Sequence, residues 1–182
     1  MTILNKNQCL ELISQDPGAW AFKTYVKDNK VTIKDLEIAQ ECLKKNGMLL
    51  YYCVEEFKKN YDLAMIAVTN NGMALDYVSQ ELKDNDDIVE MAMKLNKAVA
   101  FASDRIKKDK KFALISLRYN PNDIRFYSKE IQEICGEGGT PKARNMQRQN
   151  LERSISSENS EKLVNLLESN LSSKQSVSKV KI

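Results

Sequence analysis

A repeat of about 25 residues constrains this chain more than any other feature. Residues 46–68 (NGMLLYYCVEEFKKNYDLAMIAV) and 71–93 (NGMALDYVSQELKDNDDIVEMAM) align without a gap, and residues 96–117 (NKAVAFASDRIKKDKKFALISL) align after a one-residue deletion following Asn96. Partial copies flank these. Upstream, Asp16, Pro17, Gly18, Ala19 and Trp20 lead to residues 35–43; downstream, Asn120 and Pro121 lead to 126–131. A unit this short cannot bury its apolar face alone, so the pattern points to like units stacked over one shared core.

The columns of the alignment describe the unit. Asn60, Asn85 and Asp109 share a column three residues before Leu63, Ile88 and Phe112. Asn and Asp side chains accept orphan N–H groups of a first helical turn, and Asp62 and Asp87 then stand where the helix dipole favours negative charge. Apolar columns follow at helical spacing: Leu63/Ile88/Phe112, Ala67/Ala92/Ser116 and Val68/Met93/Leu117. Asn46-Gly47 and Asn71-Gly72 are expected to end this helix, the glycine supplying a left-handed cap. A second helix is expected to carry Leu50/Leu75/Val99, Val54/Ser79/Ser103 and Phe57/Leu82/Ile106, with a further stripe through Leu49, Ala74 and Ala98. A helix apolar on two sides is buried on two sides. The spacing therefore predicts an all-α fold, an array of short helix pairs of the α-solenoid kind.

The array is expected over residues 1–135, with a capping helix within 1–15 built on Cys9, Leu10, Leu12 and Ile13, and repeats over 16–135. Beyond Cys135, Gly136, Gly138, Gly139 and Pro141 read as a linker. Leu163, Val164, Leu166 and Leu167 allow one short helix at 160–171, and the end of the chain is rich in Ser. Residues 136–182 are thus expected to form a mobile, basic tail that adds little stability.

Composition narrows the chemistry. The chain has no histidine, which removes Ser-His-Asp triads, Cys-His dyads and His-ligated metals. Residues 1–135 carry 20 Lys/Arg and 20 Asp/Glu, whereas 136–182 carry 8 and 5. A neutral body lacks the overall basic signature of a dedicated nucleic-acid domain. Cys9, Cys42, Cys53 and Cys135 form no C-x-x-C pair, so they read as buried free thiols of a reducing, cytoplasmic compartment. No apolar run reaches the roughly 18 residues of a membrane span, and Asn5, Lys6, Asn7, Gln8 and Glu11 interrupt the N-terminal segment where a signal peptide would be apolar. The carboxylates Glu55, Glu56, Asp84, Asp86 and Asp87 fall in turns and first turns, where capping accounts for them. No catalytic residue, cofactor or metal site is expected. Two surface features stand out. Tyr52, Tyr77, Phe101 and Phe126 form an aromatic column, either core filling between units or a recognition ladder. Arg105, Lys107, Lys108, Lys110 and Lys111 form a basic turn, either solvated or a contact edge for a partner.

The repeat as it stands, N-G-x-A-L-x-Y-V/A-S-x-E-L-K-x-N/D, resembles a bacterial family of short helical repeats known only as a domain of unknown function, whose motif is close to NG-x-AL-x-YAS-x-x-LR-D-D. Residues 71–93 match best. The Tyr-Ala-Ser signature survives as Tyr77-Val78-Ser79 and Phe101-Ala102-Ser103, and weakens to Tyr52-Cys53-Val54. The resemblance covers about two-thirds of the chain. It implies a helical interaction scaffold, brings no catalytic residues, and is of the kind found in proteins that intracellular bacterial pathogens inject into host cells. The Ser-rich end, with Glu158, Glu161 and Glu168 and with Val180 near the terminus, is similar to type IV translocation signals. The function expected is a non-enzymatic protein-binding scaffold, delivered to a host cell by a route independent of a signal peptide, with the basic turn as partner edge. The alternative is nucleic-acid or anionic-surface binding through that turn and the tail.

Overall fold

The structure, a computed structural model, describes residues 4–95, 98–136 and 141–178, with side chains over 4–95, 98–136 and 143–166. The first residues of the expected cap, Asn96 with its neighbouring deletion, most of the Gly-rich linker, and Val180 lie outside the described residues.

Three helices open the fold: α1 (Lys6–Gln15), α2 (Trp20–Asp28) and α3 (Leu36–Lys45). From α3 onward one pattern is used four times: a ten-residue α-helix, a 3-10 helix, and one further short α-helix. The long members are α3, α5 (Tyr61–Asn70), α7 (Asp86–Leu95) and α9 (Lys110–Tyr119). The 3-10 members are η1 (Gly47–Tyr52), η2 (Gly72–Tyr77), η3 (Ala98–Phe101) and η4 (Pro121–Phe126). The short members are α4 (Glu55–Lys58), α6 (Gln80–Lys83), α8 (Asp104–Lys108) and α10 (Lys129–Cys135). The only β pairing among the described residues is an isolated parallel bridge between Ile33 and Cys53. The fold is all-helical, as the repeat predicts.

The caps fall where the alignment places them. The Asn60 side chain accepts the Leu63 N–H at 3.0 Å, Asn85 that of Ile88 at 3.1 Å, and Asp109 that of Lys111 at 2.8 Å. The second helix of each pair, however, is split. Ser79, Ser103 and Ser128 have extended backbone and cap the short helices, accepting from Leu82, Ile106 and Ile131. Serine prefers this role to a helix interior, so the column Val54/Ser79/Ser103 marks a break and not a buried stripe. The break also joins the units. The Ser79 N–H donates to the Lys58 carbonyl (2.9 Å), Ser103 to Lys83 (3.0 Å) and Ser128 to Lys107 (2.9 Å), each one unit back.

The Asn-Gly pairs do a different job from the one expected. Gly47 and Gly72 do not have positive φ; among the described glycines only Gly136 does, at 70°. Asn46 and Asn71 instead cap the 3-10 helices, accepting from Met48 and Met73. The glycines permit close approach. A Cβ on Gly47 would stand 2.9 Å from the Ala67 carbonyl carbon, and one on Gly72 would stand 3.2 Å from that of Ala92, with the carbonyl oxygens nearer still. Leu49, Leu50, Leu63, Leu75, Ile88, Ile106 and Phe112 are fully buried in one continuous core.

The C-terminal segment departs from expectation. In place of a polar tail with one short helix at 160–171, residues Pro141–Ser178 form one helix of 38 residues, α11. Pro141 occupies the first position, where its missing N–H is tolerated, and neither Gly nor Pro interrupts the remainder. Its first half packs on α9 and α10. Leu151 is fully buried and Gln147 is 3% exposed, whereas Leu163, Val164 and Leu166 face solvent. The docking stripe is largely polar, and that is why apolar periodicity did not reveal it.

Two mutations separate backbone approach from side-chain burial. Leu75→Ala should cost about 2–5 kcal/mol. Gly72→Ala should cost about 1–3 kcal/mol despite adding a better helix former, because the new methyl meets backbone. Denaturant melts of both check this; a neutral Gly72→Ala would mean the approach to Ala92 is not rigid. The docking of α11 gives a second expectation. A chain ending at residue 136 should unfold at clearly lower denaturant than the full chain, and Leu151→Ala should reproduce part of that loss; coincident transitions would mean that α11 contributes no stability.

Candidate functional site

The basic turn lies between α8 and α9 and faces α11. A groove of about 560 Å³ there is lined by Arg105, Lys108, Lys110 and Lys111 on one side and by Ile155, Glu158 and Lys162 on the other. Its five cations are not equivalent. Arg105 reaches back one unit: its Nε lies 2.9 Å from Asp84 Oδ1, and its guanidinium also lies 2.6 Å from Asp86 Oδ1. Asp84 additionally accepts from the Ser103 hydroxyl. That hydroxyl, and after it Arg105, hold the Asp84 carboxyl below its ordinary pKa. Lys110 is nearly buried and pairs with Glu130 at 3.2 Å and with Glu158 of α11, while donating to Ser154 Oγ at 3.1 Å. Lys111 lies 5.5 Å from the centroid of the Phe112 ring, Lys108 is exposed and Lys107 is half-buried. Arg105 and Lys110 are therefore engaged in holding the array and α11 together. Equivalent turns one unit apart do pair directly, because arginine is long enough to bridge the spacing.

The aromatic column lies at the C-terminal ends of the 3-10 helices. Successive 3-10 helices pack side by side, so Tyr52, Tyr77, Phe101 and Phe126 form a strip, and all four are half-buried. Tyr51 extends the strip outward. It is 58% exposed yet ordered by two edge-to-face contacts, with ring centroids 5.0 Å from Tyr52 and 5.3 Å from Tyr77. Sequence reasoning missed Tyr51; the adjacent Tyr51-Tyr52 doublet was the available signal. Beside the strip a groove of about 610 Å³ is lined by Tyr51, Tyr52, Thr32, Lys27, Lys30, and Lys58, which pairs with Glu55 of the same wall at 2.7 Å. Burial raises the Tyr77 hydroxyl above its ordinary pKa, with the Asp76 charge adding to the effect. The strip therefore offers ring faces and, at Tyr77, an uncharged hydroxyl at neutral pH.

The cysteines are buried and free. Burial pushes the Cys53 thiol up to about 12 and Cys135 up to about 11, and raises Cys9 and Cys42 as well. Thiols so placed are mainly protonated and hold no nucleophilic thiolate at neutral pH. Among the described residues no three Cys, Asp or Glu side chains converge on a metal-sized space, and no helix is long and apolar enough to cross a membrane.

The unequal roles of the cations can be tested by charge reversal. Lys110→Glu should loosen α11 and lower the denaturant midpoint, because it sets a carboxylate against Glu130 and Glu158. Lys108→Glu, at an exposed position, should leave the midpoint within tenths of a kcal/mol. Equal effects would show that Lys110 does not fasten α11.

A family model for a domain of unknown function, DUF4116, matches residues 35–83, 61–100 and 85–132. No curated protein and no solved structure matches the chain. The three matches overlap across successive units and together span 35–132, more than half of the chain. The α–3-10–α units stacked between Asp35 and Gln132 are therefore the three-dimensional form of that repeat, and the chain belongs to the DUF4116 family.

Proposed function

We propose that the chain is a non-enzymatic protein-interaction scaffold, a bacterial effector that binds a protein of the host cell through the aromatic strip on its 3-10 helices. One observation carries this reading. The strip of Tyr51, Tyr52, Tyr77, Phe101 and Phe126 is ordered but incompletely covered, and ordered, part-exposed aromatics are what protein interfaces concentrate at their hot spots. Lys27 and Lys30 of the adjoining groove supply a rim for an acidic partner, and Lys107, Lys108 and Lys111 of the basic turn add attraction at longer range. Nucleic-acid binding through the basic turn is the weaker reading, because Arg105 and Lys110 are already paired with carboxylates.

Affinity capture from bacterial and host lysates, run in parallel with wild type and Tyr51→Ala, tests the proposal. A host protein retained by wild type and lost with Tyr51→Ala supports it; so exposed a side chain can be truncated without unfolding the array. Capture confined to bacterial proteins would remove the host from the reading. Recovery of nucleic acid released between 50 and 200 mM salt, at roughly the steep dependence phosphate contacts impose, would replace the reading with the alternative.

A further inference from the structure

The junction between the last unit and α11 contains a second cleft, of about 670 Å³. That is within the range of ligand-binding pockets. Its chemistry differs from that of the basic turn. Arg125 comes from η4, Lys129 from α10 and Arg144 from the start of α11, so three separate elements each contribute one cation. All three are exposed, and none forms an ion pair among the described residues. Arg125 is held 4.7 Å from the centroid of the Phe126 ring, the last member of the aromatic strip. At the turn between α8 and α9 the principal cations are consumed by the protein's own carboxylates; here they are left over.

A buried amide sits in the same wall. Gln147 is 3% exposed and lines the cleft. Its Nε2 donates to the carbonyl of Gly136 at 3.1 Å, which fixes the amide's orientation, and its Oε1 has no hydrogen-bond partner among the described residues. A buried acceptor without a donor is costly to keep, but this oxygen has almost no accessible surface, so the amide braces the wall and is not itself a contact for what enters. Pro121 and the nearly buried Ile124 give the same cleft an apolar wall, and Glu133 places one carboxylate on its rim.

These requirements select among ligands. A simple anion would satisfy the cations but leave the apolar wall of Pro121 and Ile124 uncovered. A nucleic-acid strand would meet Glu133 with phosphate. A peptide can present carboxylates and an aliphatic side chain within a few residues of one another. We propose that the cleft between η4, α10 and α11 binds an acidic peptide segment, its carboxylates meeting Arg125, Lys129 and Arg144 while an aliphatic side chain covers Pro121 and Ile124. This deepens the interaction-scaffold reading and rests on it: Phe126 beneath Arg125 makes the cleft continuous with the aromatic strip.

The test uses the full chain, panned against a displayed library of random peptides. Enriched sequences should combine acidic residues with an aliphatic one, and a synthetic copy should bind at least about tenfold more weakly to Arg144→Glu and to Lys129→Glu, since like charges are then brought together. Both positions are exposed, so the variants keep the fold. Enrichment of peptides without acidic residues, undiminished binding to Arg144→Glu and Lys129→Glu, displacement by inorganic phosphate alone, or no enrichment at all would each overturn the proposal. Peptides that lose affinity for Tyr51→Ala but keep it for Arg144→Glu would sink the cleft while leaving the scaffold reading in place.

Discussion

Everything in this array depends on how closely one unit can approach the next. Gly47 on η1 lies against the Ala67 carbonyl of α5, and Gly72 on η2 lies against that of Ala92 on α7. The approach is main chain to main chain, so it fixes the spacing of units more rigidly than interlocking side chains would. Small residues on the receiving helix, Ala64, Ala67 and Ala92, are buried for the same reason. The later units lack the glycine: Asn96 is followed by Lys97 in the sequence, and Pro121 starts η4. Spacing, in turn, brings Ser79, Ser103 and Ser128 within reach of carbonyls one unit back. Those serines are satisfied on both sides, as caps to their own helix and as donors to their neighbour.

The repeat, the caps and most of the core were legible because each rests on a local rule. Asn60 before Leu63 and Asn85 before Ile88 announce helix starts in any context. The 25-residue recurrence of Leu50 and Leu75 announces burial by shared environment. What could not be read were contacts set by distance in space. The glycines were assigned to backbone torsion, the usual reason for Gly after a helix, when the constraint was an alanine carbonyl twenty residues onward. The serines looked like tolerated members of a helix face. Gln147 gave no signal at all, because an isolated glutamine in a polar stretch is indistinguishable from its solvated neighbours until another element covers it.

Electrostatics followed the same division. The reversal of charge between Asp84, Asp86 and Asp87 in one turn and Lys108, Lys110 and Lys111 in the next was evident in the alignment. Its use was not. Arg105 bridges the two turns, and Lys110 secures a helix whose docking the pattern had concealed. Such pairs are worth little individually at an exposed surface. Their geometry still removes two cations from those a partner could use, which shifts attention to the uncommitted Arg125, Lys129 and Arg144 and to the aromatic strip.

The ends of the stack have a consequence for assembly. At one end, α1 packs on α3, and Lys45 closes its C-terminus by donating to the carbonyls of Ile13, Ser14 and Asp16 at 2.6, 2.9 and 3.2 Å. At the other, α11 lies across α9 and α10. A stack of like units whose terminal faces were bare would present a self-complementary, head-to-tail surface, the geometry that propagates into filaments. Here α1 and α11, helices outside the repeat, pack against the two ends of the stack, which disfavours head-to-tail growth and directs recognition to the flanks and to the junction with α11.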